Sequence, residues 1–248
     1  MGLNLNSIKK TLTRKDTDIV VLGVTDSTNN EAKRRIAAGF ASNSLIVAER
    51  QTAGRGRQGK SFFSMCKGAI YMTAVFAMTR EDPARVTIAA AVAVAKAIED
   101  AEQLYPRIKW VNDLFYHGKK IGGILSEAVE GHIIIGIGIN TNAEAEEFPT
   151  ELQAIVGGIP LKTPREKLIA AIYNKLCEYL NTDYKKIIKE YRARSLMDGK
   201  TVIYLQENRE IAATVLGIDD KGRLIVKTED GKQECLSSGE VNIINHHI

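Results

Sequence analysis

The sequence predicts an α+β domain that carries a small all-β unit at its C-terminal end. Three observations carry this reading. Up to about residue 194, β-branched runs alternate with helical stretches. After Gly199 the texture changes to short strand-like runs, broken by turns such as Asp220-Lys221-Gly222 and Asp230-Gly231. The chain has 248 residues and 44% hydrophobic content, enough for a substantial core in one large domain or a large plus a small one. The expected division is residues 1–195 and 196–248.

Residues 19–24 are apolar and β-branched, a strand. Asp26-Ser27-Thr28-Asn29 then opens a helix, with Thr28 and Glu31 at capping-box spacing and Gly39 just past its end. Residues 45–48 form a second short strand, and a glycine-arginine loop follows, from Glu49 to Ser61. Residues 69–77 are rich in strand formers and read as a buried strand. Pro83 starts an Ala/Val-rich helix with a wide apolar face, ending near residue 101. Residues 107–111 and the run starting at 114–116 are strands, and the turn 117–120 closes a hairpin onto 121–128. Residues 133–139 form an apolar strand interrupted by Gly136 and Gly138, where glycine marks a bulge or a close backbone approach. A looser segment carries Pro149, Gly157, Gly158 and Pro160; helical sequence then runs from Pro164 to about 194, with a break near Asn181. Residues 201–205, 209–218, 224–227 and 233–236 are the strands of the terminal barrel or sandwich.

Composition narrows the function. Charged residues make up 26%, so the chain is not of the disordered class. The net charge of +4 suits an anionic ligand; a duplex-binding surface would show a denser basic stripe. Lys33-Arg34-Arg35 reads as a solvated helix face. Cys66, Cys177 and Cys235 lie far apart without a CxxC pair, which argues against a disulfide framework or structural zinc and for a reducing compartment. His117, His132, His246 and His247 have no metal-site spacing, and the terminal pair reads as an exposed end. The first residues lack the apolar core of a signal peptide, Asn6 breaks a myristoylation pattern, and the longest apolar stretch, 88–95, is too short to span a bilayer. The expectation is a cytoplasmic protein with no membrane or nucleic-acid partner and no metal held by side chains.

The stretch ERQTAGRGRQGKS supports two readings. Gly54-x-x-x-x-Gly59-Lys60-Ser61 is a formal P-loop, which would make the chain an NTPase. A P-loop needs a buried strand directly before it and a helix starting at Lys-Ser. Here residues 49–53 are polar, and the aromatics and Gly68 after Ser61 favour loop then strand. In the second reading Arg55 and Arg57, interleaved with glycines, clamp a phosphate through paired guanidinium hydrogen bonds, unpaired until an anion arrives. A solvent-exposed basic turn is the plain alternative.

The remaining motifs favour the clamp. Asp26-Ser27-Thr28-Asn29, the stretch from Gln51 to Gly59, Lys109-Trp110-Val111-Asn112-Asp113, the stretch from Lys120 to Glu127, Gly136-Ile137-Gly138-Ile139-Asn140 and Ser238-Gly239-Glu240-Val241 resemble, in order, six motifs of the biotin–protein ligase family. The resemblance covers about residues 25–241. Lys60, Phe62 and Val111 depart from its usual Arg, Trp and Pro.

The resemblance implies a class II synthetase-like fold, with a mixed sheet flanked by helices and a small SH3-like C-terminal barrel. It implies an ATP-dependent ligase that makes biotinyl-5′-AMP and passes biotin to a lysine of a biotin carboxyl carrier domain of acetyl-CoA carboxylase or a related carboxylase. Mg²⁺ is expected on the ATP phosphates. Lys109 and Arg57 are the implied catalytic cations. Ser27, Thr28, Asn29, Gln51, Arg55, Gly56, Arg57, Lys109, Gly122 and Gly123 are the implied biotin contacts. Gly54, Arg55, Arg57, Gly59, Asn112 and Asn140 are the implied nucleotide contacts. Asn112 and Asp113 could order the site or assist the metal, Trp110 is either core or ligand stack, and the Ser238–Val241 motif is assigned no chemistry. Met1–Thr25 is too short for the winged helix-turn-helix that many relatives carry, so no repressor function is expected. A homodimer is left open.

Overall fold

A computed structural model describes residues 2–39, 43–78, 82–207 and 209–244. His246 and His247 lie outside the described residues. The first unit runs α1 (Leu5–Thr11), β1 (Asp18–Thr25), α2 (Thr28–Ala37), β2 (Ser44–Gln51), β3 (Ile70–Ala77), α3 (Pro83–Glu102), β4 (Arg107–Lys109), β5 (Asp113–Tyr116), β6 (Lys119–Val129), β7 (His132–Ile139), α4 (Thr150–Gln153), α5 (Arg165–Tyr179) and α6 (Tyr184–Arg194). Its strands form one seven-stranded mixed sheet in the order β1-β2-β3-β7-β6-β5-β4, parallel only between β1 and β2. The second unit, β8 (Thr201–Gln206), β9 (Arg209–Ile218), β10 (Leu224–Thr228), β11 (Gln233–Leu236) and β12 (Val241–Ile243), is a five-stranded antiparallel sheet in the order β11-β10-β9-β8-β12.

The period-two alternation of the strands decides what each face of the large sheet carries. Leu45 and Val47 of β2, Ile70, Met72, Ala74 and Phe76 of β3, and Ile133, Ile135, Ile137 and Ile139 of β7 enter the main core. α3 lies on that face, capped by the Asp82 side chain on the amide of Ala84 with Pro83 in its first turn. Every residue from Ile88 to Ala95 is buried, as expected of a helix apolar all round with α5 and α6 packed behind it. The opposite face is covered only in part. Ala32 and Ile36 of α2 pack on Ile46, Val75 and Ile134 at one end. Cys66, Ala69, Tyr71 and Phe148, with Phe62 and Phe63 against them, cover the other. Between the two clusters the sheet offers Thr73, Gly136, Gly138 and Gly123, in the register Thr73↔Gly136 and Gly138↔Gly123. That gap is the cleft.

The terminal sheet is docked firmly. Its buried residues Val202, Val215, Leu224 and Val226 are continuous with the main core. Trp110 Nε1 donates to the Gly222 carbonyl at 2.9 Å, and Arg192 Nε donates to the Ile218 carbonyl at 2.7 Å. Gly222 sits at φ +82°, and a Cβ there would lie 2.0 Å from Ile88 Cδ1, so the turn needs glycine both for its conformation and for its seat on α3.

Five expectations are corrected or extended. Thr28 is the first residue of α2 and not its cap, its hydroxyl engaged by Gln51; Ser27 occupies the cap position without a side-chain cap bond. The Lys33-Arg34-Arg35 face is paired and not simply solvated: Lys33 with Glu127, Arg34 with Asp26 and Glu31, Arg35 with Glu31. β4 stops at Lys109, and residues 110–112 turn, with a cis Trp110–Val111 peptide. β12 grows out of the Ser238–Val241 motif, and α1 lies in an N-terminal segment for which no helix was expected. Among the described residues no helix is long and apolar enough to cross a membrane.

Candidate active site

The cleft, about 380 Å³, brings together residues from seven separate stretches of chain. Its first half follows from the parallel pairing of β1 and β2. The register sets Thr25 against Gln51, so the residues that follow β1 meet those that end β2. The Thr28 amide donates to Gln51 Oε1 at 2.8 Å, and Gln51 Nε2 donates to Ser64 Oγ at 3.0 Å. Thr28 Oγ1 lies 3.0 Å from Gln51 Oε1 and 2.8 Å from Thr73 Oγ1. Thr73 Oγ1 donates to Asn29 Oδ1 at 2.7 Å, and Asn29 Nδ2 donates to Glu127 Oε2 at 2.9 Å. Ser27, Thr28, Asn29 and Gln51 are all buried. This is a connected neutral network held on rigid elements, with hydroxyl and amide atoms lining a gap wide enough for a small polar ring.

Glycine makes the gap. A Cβ on Gly136 would lie 2.1 Å from Asn29 Oδ1, and one on Gly138 would lie 2.4 Å from the Phe62 ring. The two glycines that interrupt β7 therefore seat Asn29 and Phe62 directly on the sheet.

The second half is cationic. The arginine loop is a tight hairpin: Arg55 bridges Ser61, the Gly56 amide donates to the Lys60 carbonyl at 2.7 Å, and the Phe62 amide to the Gly54 carbonyl at 2.9 Å. Gln58 and Gly59 turn it with φ of 53° and 75°. No helix follows Lys60-Ser61; the chain runs on irregularly to β3. The P-loop reading is thereby overturned, because the amide cradle at a helix N-terminus is missing. The arginines are also not unpaired. Arg55 lies 3.3 Å from Glu127 and donates to Asn30 Oδ1 at 3.1 Å. Arg57 donates to Asn112 Oδ1 at 3.2 Å and to the Gly239 carbonyl at 3.4 Å, and Lys60 pairs with Glu240. The Ser238–Val241 motif, assigned no chemistry from sequence, thus contributes Gly239, Glu240 and Val241 to the cleft wall.

Lys109, Asp113 and Lys120 complete the cationic half. Lys109 faces Asp113 in the β4–β5 register, and Lys120 Nζ pairs with Asp113 at 2.8 Å. Burial pushes the Lys109 amine below its ordinary value; Asp113 opposes this and Lys120 adds to it. Lys109 lines the cleft and, among the described residues, has no ion-pair partner within 4.0 Å. Asn112 donates to the Ile124 carbonyl at 2.8 Å while accepting from Arg57, and both it and Asp113 order the site. Trp110 is 4% exposed, with its indole N–H donating to the Gly222 carbonyl, and it also contributes to the cleft lining.

Of the residues singled out from sequence, Ser27, Thr28, Asn29, Gln51, Arg55, Gly56, Arg57, Lys109, Asn112 and Gly123 line the cleft. Four do not. Gly54 packs behind the loop, where a Cβ would lie 2.2 Å from Ser64 Oγ. Gly122 faces away, its Cβ direction 2.4 Å from the Gly138 carbonyl. Gly59 serves the hairpin turn. Asn140 braces the 157–159 segment, donating to the Gly157 carbonyl at 3.3 Å, with its Oδ1 buried and unpartnered among the described residues. Sequence reasoning missed Thr73, the lone polar residue of β3, and Lys120, quoted only as part of a motif. Among the described residues no three His, Cys, Asp or Glu side chains converge as a metal cage.

Comparison with known proteins agrees with this geometry. Residues 21–140 match the Biotin/lipoate A/B protein ligase family, and residues 199–243 match the Biotin protein ligase C terminal domain. The bifunctional ligase/repressor BirA of Bacillus subtilis is 32% identical over 235 residues, covering 88% of this chain and 71% of that protein. The biotin–[acetyl-CoA-carboxylase] ligase of Paracoccus denitrificans is 30% identical over 231 residues, covering 86% and 95%. The biotin protein ligase of Aquifex aeolicus, solved in complex with biotin and ATP, superposes with a TM-score of 0.79 at 25% identity, covering 92% of this chain and 98% of that one. The chain belongs to the biotin protein ligase family.

Proposed function

We propose that this chain activates biotin with ATP to biotinyl-5′-AMP and transfers biotin to a lysine of a biotin carboxyl carrier domain; relatives named biotin–[acetyl-CoA-carboxylase] ligase support this reading. One observation carries the reading: a neutral hydrogen-bonding pocket opens directly onto the cations Arg55, Arg57, Lys60, Lys109 and Lys120 in a single cleft. Biotin has the same division, an uncharged ureido ring joined by an apolar tail to a carboxylate.

In the first step a biotin carboxylate oxygen attacks the α-phosphorus of ATP, and pyrophosphate leaves. In the second, the carrier lysine amine attacks the acyl carbon, AMP leaves, and the amine loses a proton to solvent. Ser27, Thr28, Asn29 and Gln51 hold the ring; Gly56 and Gly123 give the tail room. Lys109 screens the repulsion between carboxylate and α-phosphate, and Arg57 and Arg55 neutralise the phosphate side. Lys120 is a second cation at the same place. We assign Gly54, Gly59 and Asn140 the support of the nucleotide walls, and Gly122 the packing of β6 on β7. We place Mg²⁺ on the ATP phosphates; among the described residues no three His, Cys, Asp or Glu side chains form a cage of its own, and Asp113 is paired with Lys120. We take residues 1–195 as the ligase unit, 196–248 as an appended unit that supplies the Gly239–Glu240 wall, and the cytoplasm as the site of action.

The test is intact-mass spectrometry of a purified carrier domain incubated with this protein, biotin and MgATP. Gain of one biotinyl group on one lysine, dependent on both small molecules, is the expected result. An unmodified carrier alongside ATP consumption that ignores biotin would refute the reading.

A further inference from the structure

We propose that Glu127 is a positioning residue that couples the neutral pocket to the arginine loop, fixing the Asn29 amide and anchoring Arg55, and so sets the affinity for biotin. This rests on the biotin reading of the cleft. Glu127 stands on β6 opposite Ile134 of β7, beside the cleft and not in its lining. Its side chain is 21% exposed and collects donors from two other stretches of chain. Lys33 Nζ lies 2.7 Å from Oε1, Arg55 Nη2 3.3 Å from the same oxygen, and Asn29 Nδ2 2.9 Å from Oε2. α2 and the arginine loop, which carry the two halves of the site, are thus tied to one carboxylate.

The chemistry of that carboxylate dictates the direction of the network. An ionised carboxylate only accepts, so Asn29 must turn its NH₂ toward Glu127 and its Oδ1 toward the Thr73 hydroxyl, which donates to it. The reverse orientation would set an oxygen against a carboxylate. Gly136 removes the space for any compromise, since a Cβ there would lie 2.1 Å from Asn29 Oδ1. Burial pushes the Glu127 carboxyl up, but hydrogen bonds from Lys33 and Asn29 outweigh this and hold it below its ordinary value. Arg55 reaches the same anchor, its other nitrogen bonded to Asn30 Oδ1 at 3.1 Å. A glutamine at 127 keeps the shape, presents an NH₂ as well as an oxygen, and removes the charge. Asn29 then keeps only the longer bond to the Leu125 carbonyl, at 3.4 Å, to hold its direction, and Arg55 keeps only Asn30.

The test is biotin-dependent ATP–pyrophosphate exchange by the whole protein. Glu127→Gln is expected to raise the biotin KM about tenfold or more, with kcat changed by less than about threefold, the scale of a lost charge-assisted hydrogen bond. In an Asn29→Ala background the same substitution is expected to raise KM by a clearly smaller factor than in the parent, because the share that runs through Asn29 is already lost and only the share through Arg55 remains. Should Glu127→Gln fail to fold, Glu127→Asp carries the test: it keeps the charge, draws back by one methylene, and is expected to raise KM by a smaller factor. A parent protein without biotin-dependent exchange overturns the ligase reading, and this proposal with it. A parent with exchange and a variant whose biotin KM is unchanged, or whose loss persists in full without Asn29, overturns the role of Glu127 alone.

Discussion

The two halves of the cleft hold their polar groups in opposite ways. Around Thr28, Asn29, Gln51 and Thr73 the groups are neutral, buried and bonded to one another, with Ser27 buried beside them. Around Arg55, Arg57 and Lys60 they are charged and partly exposed: Arg55 is anchored on Glu127, while Arg57 and Lys60 are bonded to stand-ins, Asn112, the Gly239 carbonyl and Glu240. The first half is pre-formed, and a neutral ring need only replace water there. The second must exchange partners when a phosphate arrives, because each stand-in occupies a donor that an anion would use. Lys109 belongs to neither pattern: it is half-buried, charged and turned to the junction between them.

The sharpest way to break this comparison is therefore Lys109→Ala. It removes the cation at the junction of two anions, and biotin-dependent exchange is expected to fall by about 10³-fold, as when a pre-organised charge-stabilising donor is lost. Near-parent exchange would remove Lys109 from the chemistry. Next in size is Gln51→Leu, which leaves the buried Thr28 amide without its acceptor, while Ser64 keeps its bond to the Phe62 carbonyl. Urea unfolding should show a loss of about 1–3 kcal/mol, with biotin KM raised. Unchanged stability would mean that the neutral half is not a pre-formed network. Arg57→Gly should act on the other half. Adenylate is still made but held about tenfold less long, so biotin reaches bystander lysines. An adenylate lifetime equal to the parent's counts against the clamp.

The lowered Lys109 value predicts the pH dependence, with its sign. The amine must carry its proton to screen the anions, and burial makes it lose that proton at a lower pH than a free lysine. Activity should fall as pH rises, and the alkaline limb of kcat/KM, which reports the free enzyme, should lie below the ordinary lysine value. Bound anions favour the charged form, so the limb in kcat should lie higher. Lys109→Arg should carry both limbs upward. A limb unmoved by that substitution assigns the titration elsewhere. Ser61→Ala should have the smallest effect, within about twofold in exchange, because no helix starts there to build a phosphate cradle.

Much of the large sheet was readable because its strands alternate or run continuously apolar, and the turns between them carry glycine or proline. The hairpin turn is a case in point: His117 and Gly118 both take positive φ, which a two-residue turn between twisted strands demands. Side-chain pairing was less readable, since it depends on register. Nothing local to Thr28 says that its partner is Gln51, 23 residues on, in place of its own helix turn. Gly122 and Gly123 look alike in sequence, yet β6 alternation turns one to the cleft and the other to the Gly138 carbonyl. The largest omission, the Gly239–Glu240 wall, is a contact across about 180 residues between two folded units, and no local signal announces it.

The central claim is that the cleft joins a neutral biotin pocket to an α-phosphate site. Exchange of labelled pyrophosphate into ATP, with and without biotin, tests it most directly. The account predicts exchange only when biotin is present, AMP and pyrophosphate as the products of the full reaction, and near-parent rates in Ser61→Ala. Biotin-independent release of ADP and phosphate, abolished in Ser61→Ala, would contradict it.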